Sequence, residues 1–201
     1  VKNSKEYLEK AELTVSSSET NLANAQTQYD QTVALSQNNV NASSQNLDNA
    51  YNNALNNIDS ALSDLKSALT LADQILAVDQ PNSNYDFRNY LGVLDTNSKT
   101  EAENLYRETS KKLTNITTER TKILDSLSPA QIEGLLYETL ESAKTGRATL
   151  HATYLLLTKS ITGQGLSAAT LDNYKNLVSA SENLLAKDVV TMQGGQDTIA
   201  N

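Results

Sequence analysis

Few side chains in this sequence could carry chemistry, because its 201 residues include one histidine and no cysteine. Without cysteine the chain can form neither a disulfide nor a thiolate metal site. A di-iron helical bundle uses Glu-x-x-His on two helices, but the residue three before His151 is Ala148 and there is no second histidine. We therefore expect no metal and no cofactor, and we expect His151 to be a partly exposed structural residue.

The predicted loops also lack catalytic and ligand-binding motifs. The run Asp95-Thr96-Asn97-Ser98 does not have the Asp-x-Asp-x-Asp-Gly pattern of a calcium loop. The pair Gly163-x-Gly165 follows a predicted helix, whereas a phosphate or dinucleotide loop follows a strand. No Gly-x-Ser-x-Gly nucleophile turn accompanies the many serines. The sequence therefore predicts that the protein is not an enzyme.

Two further groups of side chains each have two interpretations. Arg120 lies beside Ile116 on the apolar seam of a predicted helix, where an unpaired guanidinium would be costly to bury. We expect it to reach the helix edge or to pair with a carboxylate of a neighbouring helix, with anion binding as the alternative. The aromatic group Tyr85, Phe87 and Tyr90 is expected to anchor a loop on the core, with a contact platform at the tip of a bundle as the alternative.

Composition predicts the fold class and argues against several classes of partner. With 5% aromatic residues, seven Gly and two Pro, the chain is poorly suited to a β-sandwich or barrel and suited to helices. A net charge of -8 repels phosphate backbones and anionic headgroups, so we expect no nucleic-acid binding and no direct membrane contact. No apolar run reaches the ~18 residues of a membrane span. The first ten residues do not resemble a signal peptide, so we expect either a cytosolic chain or a segment whose export signal lies outside it.

The first third of the chain predicts one very long helix. From about Ser4 to about Ala77 there is neither Pro nor Gly. Apolar residues recur every seven positions, with small residues three places after each, as in a coiled coil that admits a partner helix closely. We call this set the seam: Leu8, Ala11, Val15, Leu22, Ala25 and Tyr29. After Val33 the register shifts, which is a stutter that locally relaxes the supercoil.

Three shorter helices are predicted to follow. The second begins at a capping box, Ser98 to Glu101, and runs to about residue 127. The third has Ser128 as N-cap with Pro at the first helical position, and ends at the glycines of residues 163–165. The fourth begins after Ser167 and is expected to be interrupted at Gly194-Gly195.

These elements predict an all-α architecture with three parts. Beyond Tyr51 the apolar stripe of the long helix broadens, which indicates more than one neighbouring helix. We expect the distal half of the long helix to form an antiparallel four-helix bundle with the three shorter helices. The proximal half would project as a coiled-coil arm. The predicted boundaries are 1–45 for the arm, 46–193 for the bundle and 194–201 for the start of a truncated return segment.

Residues 21–30, Asn-Leu-Ala-Asn-Ala-Gln-Thr-Gln-Tyr-Asp, resemble the ascending helix of the α-helical hairpin of periplasmic adaptor proteins, also called membrane fusion proteins. In that family the pattern Leu-x-x-Ala-x-x-x-Tyr recurs, and Leu22, Ala25 and Tyr29 match it. Residues 47–54 and 86–92 are similar to a helical insertion of a bacterial subgroup. The Arg-x-x-x-Leu-x6-Ser pattern with which such adaptors dock onto outer-membrane channels is incomplete here, because its third place is Gln131.

The resemblance implies a non-enzymatic assembly module of a membrane-anchored efflux or secretion adaptor, located outside the cytoplasm. The seam would pack against the return helix of the same hairpin, neighbouring protomers would lie alongside, and the full-length protein would contact a membrane transporter. The alternative is an extracytoplasmic four-helix ligand sensor, as in chemoreceptors. Such a sensor begins and ends at the membrane, whereas an adaptor hairpin is flanked by β domains.

Overall fold

The computed structural model describes residues 2–79, 87–122 and 128–200, and within these ranges the protein is all-helical, as predicted. Helix α1 spans Lys2–Leu76, α2 spans Thr96–Lys122, α3 spans Pro129–Thr158 and α4 spans Ala168–Ala200. A short 3₁₀ helix, Arg88–Tyr90, precedes α2. The described residues contain no strand, and their one isolated β-bridge joins Gly163 and Leu166.

Helix α1 is continuous over 75 residues, so the prediction of one long first helix is confirmed. It ends where Ala77 takes a positive φ of 54°, with the Ala77 N–H donating to the carbonyl of Asp73 at 2.7 Å. The Asp73 carboxylate then accepts the N–H groups of Val78 and Asp79 at 2.9 and 2.8 Å. These bonds provide acceptors for the backbone N–H groups that follow the last turn of α1, as in a left-handed C-cap.

The residues divide into two units, 1–48 and 49–201, which we call the N-terminal unit and the C-terminal unit. In the N-terminal unit every residue from 3 to 48 is exposed. The C-terminal unit contains two clusters of buried apolar side chains. One includes Leu65, Leu150 and Leu185, and the other includes Ile58 and Leu136. Helix α2 packs against α3, and α3 packs against α4.

The starts of the shorter helices follow local capping, though not always at the predicted residue. Helix α3 begins after Ser128, whose N–H donates to Oε1 of Gln131 at 2.9 Å, so the predicted capping box is confirmed. Helix α4 begins after Ser167, whose hydroxyl accepts the N–H of Thr170 at 3.1 Å. The predicted start of α2 at Ser98 is wrong, because Asp95 caps the helix earlier by accepting the N–H of Asn97 at 3.1 Å. The predicted end of α2 near residue 127 lies outside the described residues.

The glycines do not end helices where the sequence suggested. Helix α3 stops at Thr158, before the glycines, although Gly165 does adopt a left-handed φ of 78°. The predicted interruption at Gly194-Gly195 is wrong, since α4 continues through both residues to Ala200. A glycine inside a helix costs only about 1 kcal/mol relative to alanine, and the burial of Met192 in the preceding turn can offset this. Whether 194–201 begins a return segment stays a prediction.

Candidate interaction surface

The seam lies entirely on α1 within the N-terminal unit, and none of its side chains is buried. The four large residues of the seam are widely exposed: Leu8 by 60%, Val15 by 57%, Leu22 by 71% and Tyr29 by 65%. Apolar side chains that repeat regularly and stay in water are typical of a surface that a partner covers.

The seam continues beyond Tyr29 on the same side of the helix. At about 100° per residue, each seven-residue step turns the stripe by about -20°, and the four-residue step from Tyr29 to Val33 turns it back by about 40°. As a result one set of large residues lies within about 60° of one another around the axis: Leu8, Val15, Leu22, Tyr29, Val33, Val40 and Leu47. Val33, Val40 and Leu47 are also exposed. The register shift therefore keeps one apolar face straight along the helix.

Two hydroxyl groups of the small-residue column are already hydrogen-bonded within α1. The Ser18 hydroxyl donates to the carbonyl of Thr14 at 2.9 Å, and the Thr32 hydroxyl donates to that of Gln28 at 2.8 Å. A hydroxyl bonded to the carbonyl four residues back needs no donor or acceptor from a partner. These polar positions can therefore be covered by another helix with little penalty. These hydroxyl bonds were not predicted from the sequence, although Ser and Thr inside a helical pattern indicate them.

A second apolar surface of the N-terminal unit lies away from the seam. Leu13 and Leu35 are 72% and 64% exposed. At about 100° per residue they lie about 180° and 140° around the axis from Leu22. The sequence analysis missed this pair because it followed only seven-residue columns. Helix α1 thus presents apolar side chains on two opposite sides.

The aromatic group is placed only in part. Tyr85 lies outside the described residues. Phe87 is 7% exposed, belongs to the core and lies with its ring centroid 5.9 Å from that of Tyr174. The Tyr90 carbonyl accepts the N–H of Ile161 at 3.0 Å, and its ring occupies the space beside Gly163 that a Cβ atom would need. Phe87 and Tyr90 therefore anchor their loop on the helices and on the α3–α4 connection.

Arg120 pairs with a carboxylate of a neighbouring helix, as predicted. Its Nε and Nη2 donate to Oδ1 and Oδ2 of Asp59, each at 3.0 Å, in a bidentate arrangement that joins α2 to α1. The hydrogen bond to Asp59 raises the pKa of Arg120 above its ordinary value, while burial lowers it. Because these donors are occupied, the geometry gives little support to the anion-binding alternative.

His151 is a partly exposed residue, as expected, with 60% of its side chain in water. Its Nδ1 lies 3.7 Å from Oε1 of Glu182 on α4. Within the described ranges no three His, Cys, Asp or Glu side chains are grouped to hold a metal ion. Among those same residues, no helix combines the length and hydropathy that crossing a bilayer requires.

Comparison with known proteins gives no relative for this chain. No protein-family model matches the sequence, and no curated protein or solved structure matches it either. The function must therefore be argued from the surfaces described above.

Proposed function

We propose that this chain is a non-enzymatic structural and assembly module of a membrane-anchored efflux or secretion adaptor. In the full-length protein it would help bridge a transporter to extracytoplasmic components. The observation that carries this proposal is the seam, a repeating apolar stripe that remains exposed over about six turns of α1. A module of this kind works by packing and needs no catalytic residues.

We further propose that the C-terminal unit is an antiparallel four-helix bundle. Helices α2 and α3 contact through Thr109 with Thr149 and through Lys112 with Thr145, each at 2.8 Å. From the first contact to the second, the residue number rises on α2 and falls on α3, which supports opposite directions for these two helices. By contrast, Tyr51 bonds to Glu133 at 2.8 Å, and a Cβ on Gly146 would meet Leu65. In these two contacts the residue number rises on both α1 and α3, which supports parallel directions for them. Parallel helices lie on the diagonal of an up-down-up-down bundle.

The return helix of the same hairpin is the proposed partner of the seam. Ala11 and Ala25 would allow that helix to approach closely, and the internally bonded hydroxyls of Ser18 and Thr32 would remove a barrier to burying the stripe. Residues 1–45 would then be one helix of a two-helix coiled-coil arm. The opposite surface, with Leu13 and Leu35, would face neighbouring protomers.

A ligand sensor of the chemoreceptor type is less well supported. Such a bundle needs a polar group directed at a ligand, and Arg120 was the candidate for that role. Its Nε and Nη2 instead hold Asp59. This ion pair stabilises the contact between α1 and α2, and it occupies the donors that would otherwise be directed at an anion.

Thiol labelling tests the proposed occupant of the seam, because the chain has no cysteine of its own. L22C and A23C would be made in the full-length protein and treated with a membrane-impermeant maleimide on intact cells. Position 22 lies on the seam, and position 23 lies about 100° away. We expect Ala23→Cys to react about tenfold faster than Leu22→Cys, because the return helix shields the seam.

The control is the same pair of variants in denaturant, where both positions should react at one rate. Equal rates in the folded protein would show an uncovered seam and would contradict the proposed packing. If A23C reacts only after the cells are lysed, the extracytoplasmic location is wrong. Reaction of A23C on intact cells would support the extracytoplasmic location, and its faster rate than L22C would support the packing.

A further inference from the structure

A groove between α1 and α4 of the C-terminal unit contains two carboxyl groups. The groove has a volume of about 260 Å³ and is lined mainly by Asn57, Ser60 and Asp64 of α1 and by Leu184, Asp188 and Thr191 of α4. Two carboxyl groups, Asp64 and Asp188, thus face one space from two helices. Two carboxylates that line one groove repel each other when both are ionised, so the site favours a state in which one proton is retained.

We propose that Asp64 and Asp188 form a proton-sharing carboxyl pair that strengthens the contact between α1 and α4 in acid and weakens it near neutral pH. In acid the Asp188 carboxyl donates its O–H to the Asp64 carboxylate. As the pH rises, that proton passes to water and two carboxylates remain. The proposal concerns only the C-terminal unit and does not depend on the adaptor function proposed above.

The environment of Asp188 favours its neutral form. Its Oδ2 is buried and accepts no hydrogen bond from a donor among the described residues. An ionised carboxylate with an unsatisfied buried oxygen is costly, and protonation relieves that penalty. Burial first, and then the charge of Asp64 and a hydrogen bond with it, raise the pKa of Asp188 to about 6, against a lowering by Lys187.

Charged groups on α3 and α4 also lie near this contact. Lys187, next to Asp188 on α4, is the cation that lines the groove. On α3, which also packs against α4, His151 lies beside Glu182, and Lys144 pairs with Glu141 at 2.7 Å. Arg147 of α3 has a buried Nε without a hydrogen-bond partner among the described residues. Lys187 is therefore the counter-charge that acts on Asp188, and its effect on the pKa is smaller than those of burial and of Asp64.

The direction of the pH effect follows from proton binding. The folded state holds the Asp188 proton up to about pH 6, whereas an unfolded Asp releases it near its ordinary pKa of 3.8. Between these values the folded state binds more protons, so stability decreases as the pH rises. The contribution is therefore present in acid and is lost by neutral pH. Most carboxylates in proteins have a lowered pKa in the folded state and make stability increase as the pH rises. The opposite slope expected here distinguishes this pair.

Carboxyl-carbon NMR titration of the 201-residue chain tests the proposal directly. We expect the Asp188 carboxyl to titrate near pH 6 in the wild type. In Asp64→Asn the midpoint should fall by about one pH unit, a tenfold change in proton affinity, because the neighbouring charge is gone. A wild-type midpoint near 4, or a midpoint unchanged by Asp64→Asn, would overturn the proposal.

A stability measurement supplies the second readout, with a matched variant on the same helix. We expect Asp188→Asn to raise the Tm at pH 8 by about 3 °C and to remove the acid-favoured component between pH 4 and 6. Asp172→Asn is the control, since the Asp172 side chain is exposed and lies 3.6 Å from Lys175. If D188N and D172N show the same pH profile, Asp188 is not the titrating group and the proposal fails.

Discussion

The two units of this protein use similar helical sequence in different ways. In the N-terminal unit α1 repeats Leu, Val and Ala at heptad spacing, and all of these side chains remain exposed. In the C-terminal unit the same helix repeats Ile58, Leu65 and Ala72 at the same spacing, and all three are fully buried. The same spacing thus occurs on an exposed face and on a buried one, and the presence of neighbouring helices decides which of the two a heptad column becomes.

The polar contacts of the two units differ in the same way. Those of the N-terminal unit stay within α1, as in the bond from Gln26 to Asp30 at 2.9 Å. The C-terminal unit also has contacts that join separate parts of the fold, as in Arg120 of α2 with Asp59 of α1, and Tyr106 of α2 with Asp79 just after α1. The first kind stabilises one helix whether or not anything covers it. The second kind fixes which helices lie together.

Truncation of one heptad leucine in each unit is the largest expected contrast. We expect Leu65→Ala to lower the free energy of unfolding by about 3 kcal/mol, because it leaves a cavity in the core. Leu22→Ala should change it by less than about 0.5 kcal/mol, because that side chain is exposed in the chain alone. Chemical denaturation measures both. A large loss in L22A that grows with protein concentration would mean that the seam is already paired between copies.

Two glycines of the C-terminal unit lie on different helices and have different surroundings. A Cβ on Gly146 would clash with Leu65 Cδ1 and lie 3.1 Å from Leu185 Cδ1, so Gly146→Ala should lower stability by about 1 to 2 kcal/mol. A Cβ on Gly194 would meet nothing within 4 Å, so Gly194→Ala should raise stability by about 0.5 kcal/mol through helix propensity. Thermal unfolding of both variants checks the opposite signs. Equal effects would contradict the tight approach of α1, α3 and α4 at Gly146.

The hydroxyl of Tyr106 provides a test at alkaline pH. It donates to Oδ2 of Asp79 at 2.6 Å, and burial, followed by this bond, raises the pKa of Tyr106 well above its ordinary value. The neutral phenol is therefore favoured in the folded state, so stability should decrease as the pH rises above about 10. Tyr106→Phe should cost about 1 kcal/mol at pH 7 and reduce that alkaline loss. Unfolding curves at pH 7 and 11 measure the difference, and Tyr137→Phe on the exposed surface is the control.

The smallest expected effect separates interhelical from intrahelical polar contacts. Arg120→Ala should lower stability by about 1 kcal/mol, because the bidentate pair with Asp59 joins two helices, although part of it is exposed. Gln26→Ala should leave the free energy of unfolding within about 0.3 kcal/mol, because its bond lies within α1. A double-mutant cycle of Arg120 and Asp59 measures the pair itself. A coupling energy near zero would show that the contact does not hold α1 and α2 together.

Some features could be predicted because they depend on residues adjacent in sequence. The absence of Pro and Gly from Ser4 to Ala77 was enough to predict α1, and Ser128 with Gln131 was enough to place the start of α3. Pairing with a carboxylate of a neighbouring helix was also one of the outcomes that the sequence predicted for Arg120. Helix propensity and capping act over one turn, so a local pattern contains the information they need.

Other features could not be predicted because they depend on the distance between helices. Nothing near Gly194 in sequence shows that α4 passes through it, and nothing near Asp188 shows that Asp64 faces it. The sequence alone determined an all-helical chain with a repeating apolar face on its first helix. Tertiary packing decided which part of that face became a core and which carboxyl groups met, because burial and charge repulsion depend on neighbours that local sequence does not specify.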